Sequence, residues 1–343
     1  MKNGSVIHNA PRFITEAGKS GFQEVWYLKL NDPGTARALW LRFTILIRRD
    51  KSKEVAEVWA IFFEHDTGRT RKAAAKQTYP LNSCVTVPAS QNVFNGLRIE
   101  DNYLGEDRTN GHIHNDTTRI AWDLQIIPGA AGGHDFVPDR LRKLGLVKNL
   151  AVTVFEQQRY TGWCEVNETR YAFTAAPGMQ GHLAGPQNGH SWSWGHCNCF
   201  VDDAGAPAGL IWDGLSARAK FGGLVPPALT SMFIQIGRET LFLNTVMDAL
   251  RFQSHCSFDG WHFTTTKNRY SFEGNLTARL DDFACVTYED TDGSNLYCHN
   301  TKLADMTLTV TSPEGRRTRY TSTGTTAYEV VTREPHPDIP VLL

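Results

Sequence analysis

Polar and apolar positions alternate along most of this chain with a period near two, the spacing of strands that bury one face. Residues 22–30 (FQEVWYLKL) carry the aromatic and β-branched side chains that suit a pleated surface, and predict a strand. Asn31-Asp32-Pro33-Gly34 is turn chemistry, after which residues 38–48 (ALWLRFTILIR) return as a second strand. Residues 55–64 (VAEVWAIFFE) predict a third, with Glu57, Trp59, Ile61 and Phe63 on one face. Residues 93–103, 112–127, 150–155 and 171–175 continue the rhythm, and 128–133 (PGAAGG) has loop composition. Helical periodicity is rare: 72–76 reads as one short turn, and 139–144 and 240–250 as short helices. Many short strands between turn signals predict an all-β sandwich or barrel.

The pattern also echoes itself. Asp32, Gly34 and Leu39 recur as Asp203, Gly205 and Leu210, displaced by about half the chain, each set marking a strand, an acidic-Gly turn and a returning strand. A second echo pairs Gly162-Trp163 and Arg170-Tyr171 with Gly260-Trp261 and Arg269-Tyr270 at a different interval, so the two cannot mark one duplication. The first divides the chain evenly. It predicts two barrels, 1–182 and 183–343, joined through the Gly/Pro-rich residues 175–189.

Residues 190–200 (HSWSWGHCNCF) show the sharpest division of faces. His190, Trp192, Trp194, His196, Asn198 and Phe200 share one side, and Ser191, Ser193, Gly195, Cys197 and Cys199 the other. The small side would let another layer approach closely, while the large side would put imidazole and indole groups into a cavity. Imidazoles beside π surfaces suit proton transfer around a hydrophobic, electron-poor intermediate. The plainer alternative is a half-buried strand with core tryptophans and hydrogen-bonded histidines.

Composition narrows the class. With 343 residues, 41% hydrophobic and 21% charged, the chain can bury a sizeable core, and disorder is not expected. A net charge of −1, with only short basic runs at 69–76 and 316–319, argues against a nucleic-acid partner. The seven cysteines follow no repeating framework, which favours a reducing compartment over a disulfide scaffold. Residues 1–13 show no secretory leader, and no apolar run reaches the roughly 18–20 residues of a membrane span. The expectation is a soluble, cytoplasmic protein; oligomeric state is not indicated.

Four stretches, FQEVWYLKLNDPG…ALWLRFTI, AEVWAIFF, RIAWDL and HSWSWGH, together resemble the carotenoid 1,2-hydratase and tocopherol cyclase group. The resemblance runs over most of the chain and is one of pattern. It implies two tandem lipocalin-like antiparallel β-barrels with few short helices, an architecture shared with fungal decalin-forming Diels-Alderases. It also implies protonation, hydration or cyclisation of hydrophobic olefins without a cofactor, although fold alone does not fix function. In the hydratase branch a His-x-Trp element is followed, after a turn and a strand, by an acid implicated as proton donor. His190-Ser191-Trp192 matches the first part and Asp213 is the nearest match to the second, with Trp212 where a Tyr is expected.

An acid that protonates an alkene must stay neutral near pH 7, which burial among apolar groups can arrange. Asp213 beside Trp212 meets that condition; the competing reading is a bulge or turn at Asp213-Gly214. Asp123, on a face with Arg119 and Gln125, and Glu57 beside Trp59 read either as lumen acids or as ion-paired structure. A metal is not expected, because Cys197-Asn198-Cys199 has the wrong spacing and His196 and Cys197 face opposite ways. There is no nucleophile elbow, and the Gly-rich stretches at 129–133 and 222–223 lack a phosphate-binding setting. His299 reads as structural.

Two functions follow. In the first, an enzyme holds a terpenoid or polyketide-like substrate in a lumen or between barrels. Asp213 or protonated His190 donates a proton, His196 takes one back or orients water, and Trp192 and Trp194 cover the electron deficiency. Asp123, Glu57 and Trp59 are further candidates for lining its substrate site. In the second, the barrel is a carrier of a hydrophobic ligand and needs no acid facing its pocket. A ligand-free structural protein ranks behind both.

Overall fold

In a computed structural model, which describes residues 9–18, 21–66, 68–86, 96–129, 133–137, 145, 147–219 and 224–343, the chain forms two antiparallel sheets. The first contains β1 (Phe22–Asp32), β2 (Arg37–Ile47), β3 (Glu54–Asp66), β4 (Arg69–Pro80), β5 (Cys84–Thr86) and β6 (Gly96–Ile99). It continues with β7 (Asn102–Gly105), β8 (Arg108–His114), β9 (Arg119–Pro128), β10 (His134–Asp135), β11 (Leu150–Val166) and β12 (Thr169–Gly185). The second contains β13 (Ser191–Cys197), β14 (Leu210–Arg218), β15 (Leu229–Ile236), β16 (Glu239–Leu243) and β17 (Gln253–Ser257). Its remaining strands are β18 (Gly260–Lys267), β19 (Tyr270–Thr277), β20 (Ala284–Glu289), β21 (Asn295–Thr311) and β22 (Arg317–Thr332).

Each sheet curls into a lipocalin-like barrel in which the first strand lies between the second and the last: β12-β1-β2 in one, β22-β13-β14 in the other. The half-chain echo falls on these equivalent places, since β1-turn-β2 and β13-turn-β14 carry it. The other echo is a hairpin used once per barrel. Asn167-Glu168 joins β11 to β12 and Asn268-Arg269 joins β18 to β19, all four residues at positive φ, as a type I′ turn requires. Asn115, just after β8, donates its Nδ2 hydrogen to Ala74 O of the edge strand β4 at 3.0 Å, where the sheet curls back on itself. In the second barrel Tyr270 donates to Glu239 at 2.6 Å and Lys267 pairs with Asp248 at 2.8 Å.

Trp26, Leu41, Phe43, Phe62 and Leu124 fill the first barrel, and Trp212, Trp261, Phe263, Met306 and Tyr328 the second. A third apolar layer joins them: Trp40, Trp59, Ile61 and Phe63 pack on Val286, Tyr288, Leu296 and Val331. That layer explains why β2 and β3 are buried on both faces, while the second face of β1, Val25 and Tyr27, packs with Phe136, Trp194 and Ala327.

Three sequence expectations need correction. Residues 72–76 lie in β4, whose Ala73 and Ala75 face the first core, so their high helix propensity yields to tertiary packing. Residues 240–250 divide between β16 and a one-turn helix, Val246–Ala249, capped reciprocally by Thr245 and Asp248. The supposed link at 175–189 is β12 as far as Gly185, its glycines admitting bulky neighbours rather than marking a loop. The helix expected at 139–144 lies outside the described residues, and only 96–103 of 93–103 is described, as β6 and β7. No described helix is long and apolar enough to cross a membrane, and all seven cysteines are free thiols.

Candidate active site

Cross-strand partners in a sheet point to one face. On the first sheet such a row runs Lys76, Trp59, Arg42, Tyr27, Gly181, Thr153, His134 across β4, β3, β2, β1, β12, β11 and β10. On the second sheet Ala327, His196, Asp213, Phe233 and Phe242 form a corresponding row. Both rows face the cleft between the barrels, and a buried polar cluster lies where they meet.

Asp213 is fully buried. Its Oδ1 accepts from Trp194 Nε1 at 2.9 Å, and its Oδ2 bonds Thr153 Oγ1 at 2.5 Å. Ligand atoms of His134, Glu156 and Asp213 lie within 4.8 Å of one another. Glu156 bonds His134 Nδ1 through Oε1. The His196 Nε2 proton goes to the Glu156 carbonyl at 3.1 Å, with Asn198 Nδ2 on the same oxygen at 3.2 Å. Phe233 stacks on the His134 ring at 4.9 Å and Phe136 meets it edge-on at 4.3 Å. Buried without a hydrogen-bond partner are His134 Nε2, Glu156 Oε2 and His196 Nδ1.

Glu156 reaches this face through an irregularity. Thr153 and Glu156 are three residues apart, an odd interval that a regular strand would split between its faces. Register shifts between Thr153 and Phe155, and between Phe155 and Gln158, bend β11 so that both face the cleft.

Burial sets the protonation states. It holds the Asp213 carboxyl well above the usual range, Glu156 adding to the rise while His134, Thr153 and Trp194 oppose it. Burial raises Glu156 likewise. It lowers His134 to about 4 against the pull of Asp213 and Asp135. His196 is pushed well down by burial, then by Lys29. Burial thus favours the neutral form of both carboxyls and of both imidazoles. A protonated Glu156 donates to His134 Nδ1, which leaves the His134 proton on Nε2. Tyr27 is held neutral by burial, so its phenol is a donor.

Beside the cluster is a cleft cavity with about 50 Å³ open to water-sized groups. Val25, Tyr27, Arg42, Trp192, Trp194 and Glu329 are among its walls. That volume holds a few waters, so a larger ligand must displace side chains to enter. Trp194 separates the two compartments, one part of its side chain lining the cavity and its Nε1 holding Asp213. Tyr27 meets the Trp194 ring edge-on at 5.5 Å. Tyr27 owes its place to Gly181, because a Cβ there would come within 2.2 Å of the phenol ring.

The predicted residues divide in the structure. Asp213, His196, Trp194 and Trp192 come together on the cleft face, while Gly195 lets Trp212 pack behind β13 in the second core. His190 lies just before β13, at the opposite end from His196, its Nδ1 3.4 Å from Ser191 Oγ. Trp59 faces the cleft behind Arg42, 5.8 Å from Tyr288. Glu57 pairs with Lys76 at 3.0 Å, and Asp123 pairs with Arg108 at 2.8 Å on a partly exposed edge, away from the cluster. Sequence reading missed His134, Glu156, Thr153, Tyr27 and Arg42. The legible hint was a lone acid and a lone cation, Glu156 and Arg42, within otherwise strand-like runs.

Tandem lipocalin-like barrels with a pair of buried carboxyls in their cleft define a class of β-barrel cavity protein. The sequence places it further: residues 20–331 match the tocopherol cyclase-like family, and the chain belongs to it. No curated protein matches. Kievitone hydratase from Nectria haematococca is a structural neighbour at 10% identity and TM-score 0.53, the alignment covering 96% of this chain and 92% of that one. CghA with Sch210972 aligns at 8% identity and TM-score 0.54, covering 92% and 90%. An AttH-like protein from Nitrosomonas europaea aligns at 11% identity and TM-score 0.52, covering 92% and 94%. At these identities the likeness is one of fold.

Proposed function

We propose that this protein is a cofactor-independent acid/base enzyme that protonates a hydrophobic olefin, terpenoid or polyketide-like, and so drives its cyclisation, hydration or isomerisation. The observation that carries this reading is the pair of fully buried carboxyls, Glu156 and Asp213, both pushed toward their neutral forms. A carrier gains nothing from burying two acids beside an apolar cavity, whereas a general acid needs a carboxyl that keeps its proton at pH 7. Membership of the tocopherol cyclase-like family, and a fold shared with a hydratase, support the same reading.

Asp213 donates the proton as the entering substrate displaces the Trp194 ring. The Thr153 O–H, which does not move, then stabilises the carboxylate left behind. Trp192, Trp194 and Tyr27 surround the electron-deficient carbon skeleton with π faces. The carboxylate takes back the proton that the cation, or the water that adds to it, gives up, which restores Asp213. Glu156 stays bonded to His134 beside it, and His196 fixes the Glu156 backbone. Shape supplies the remainder by holding the chain folded for closure. Seven free thiols fit a reducing, cytoplasmic setting.

The test is incubation in D₂O with a mixed terpenoid and polyketide extract, followed by mass spectrometry of captured molecules. A ligand returned with carbon-bound deuterium, a label lost in Asp213→Asn, supports the enzyme. A ligand captured and returned unchanged makes the protein a carrier. The clustering of His134, Glu156 and Asp213 favours a second reading, a metal centre on those side chains. Elemental analysis, and retention of activity after chelation, separates it from proton transfer.

A further inference from the structure

We propose that Arg42 is an anion anchor, and that the substrate is an olefinic acid whose carboxylate pairs with this guanidinium while its reactive end reaches Asp213. The proposal rests on the reading of the cleft as a substrate site and names the substrate's class.

Arg42 is only 6% exposed, yet it lines the cavity. Its Nε donates to Thr44 Oγ1 at 2.9 Å, and its guanidinium lies 3.7 Å from the Tyr288 ring centroid and 5.5 Å from that of Trp59. These contacts hold the guanidinium against the two rings, but no described carboxylate comes within ion-pair distance of it. The two acids that share its surroundings are engaged elsewhere. Glu57 is taken by Lys76 at 3.0 Å, and Glu329, which also lines the cavity, by Lys302 at 3.0 Å. The cavity wall therefore presents a guanidinium to which no described carboxylate is paired.

A buried guanidinium without a counter-ion is costly to desolvate unless an anion arrives to meet it. Its planar fork matches a carboxylate, which it can grip through two parallel hydrogen bonds. The sheet also sets a scale. Arg42, Tyr27, Gly181 and Thr153 are successive partners across β2, β1, β12 and β11, and Thr153 bonds Asp213. Three strand spacings put roughly 14 Å between the anchor and the acid. The substrate is therefore a long, unsaturated, amphipathic acid lying across the strands, with its acid group at the Arg42 end and an olefin near Trp194. Tyr27 and the indoles cover the chain between.

Farnesoic acid and its primary amide are matched probes, equal in length and unsaturation and differing in charge at pH 7.5. Their binding is read from intrinsic tryptophan fluorescence, since Trp40, Trp192 and Trp194 line the cavity. We expect the acid to bind wild-type protein about tenfold or more tightly than the amide, as a charge-assisted pair in a dry site allows. In Arg42→Gln that preference disappears while amide binding stays, and in Arg42→Lys part of it returns. Asp213→Asn keeps the full preference. Equal affinity of wild-type protein for the two probes, uptake of neither, or a preference that survives in Arg42→Gln overturns the proposal. The wild-type comparison stands even if Arg42→Gln fails to fold. A preference retained in Asp213→Asn alongside an absence of deuterium transfer would keep the anchor and remove the acid chemistry, so the two readings fail separately.

Discussion

A carboxyl buried against a second carboxyl titrates unlike one in water, and the consequence is measurable in stability. Asp213 binds its proton more tightly folded than unfolded. Its contribution is therefore complete below an unfolded pKa of about 3.9 and drains away as pH rises through the raised folded value. Glu156 has the same sign. His134 opposes both: with a folded pKa of about 4, its contribution is complete above its unfolded value and lost as pH falls toward 4. Asp213→Asn removes one titrating acid and keeps the amide-sized group. Urea denaturation across a pH series should show the variant gaining on the wild type above pH ~4, by up to ~1.4 kcal/mol per pH unit. A stability difference flat with pH would mean that Asp213 is ionised in the folded protein. For turnover, Asp213→Asn should lower the rate by roughly 10²–10⁴-fold, the range of a positioned general acid. The wild-type rate should fall as pH passes through the raised pKa. Loss on the acidic side instead would assign Asp213 the role of base.

At the scale of elements, the reach of the sequence ended where strands stop being regular. The division into a large and a small face was legible over residues 191–197 because β13 is regular, and the same alternation put Asp213 beside His196. It ends with the strand: Phe200, expected beside Trp194, packs in the second core with Cys197. Glu156 was illegible because a bulge in β11 breaks the period that would have placed it. His134 sits on a two-residue strand after a Gly-rich stretch, where no periodicity exists to read. Trp192 and Trp194 looked like candidates for a barrel lumen as much as for a cleft, and only the pairing of β13 with β14 and β22 sends them outward. The hairpin echo was legible as pattern but not as turn type. Glu168 sits at φ 72°, a strained place for a side chain. Glu168→Gly should raise stability by about 1 kcal/mol, seen as a higher Tm, with activity unchanged. Gly181→Ala should do the reverse, because a methyl group would collide with Tyr27. A loss of ~1–3 kcal/mol is expected, together with weakened binding in the cleft. Unchanged binding would show that Tyr27 does not shape the cavity.

For the whole molecule, the question is why two barrels that each own a core also bury ionic groups between them. Lys302 is fully buried, its Nζ bonded to Asn300 at 2.9 Å and Glu329 at 3.0 Å. Its backbone carbonyl receives Asn31 Nδ2 from the first barrel at 2.7 Å. Lys29 bonds Asn31 at 2.9 Å and is lowered by burial, Cys199 and Cys197 working against that. Such groups stabilise little in net terms, but they dock one barrel on the other in a single register, which an apolar layer alone does not specify. Lys302→Met would strand Glu329 in the cleft beside the Cys298 thiol, 3.7 Å away, and should cost ~3–5 kcal/mol. Adding Glu329→Gln removes the stranded charge, so the double variant should recover most of that loss, a coupling that a denaturation double-mutant cycle would resolve. The Asn31 contact survives in both variants because it goes to the backbone. If the double variant is as stable as the wild type but binds hydrophobic ligands less selectively, the ionic pair serves alignment of the cleft. If the two losses simply add, Lys302 and Glu329 act independently, and the docking of the barrels rests on the apolar layer of Trp40, Trp59 and Tyr288.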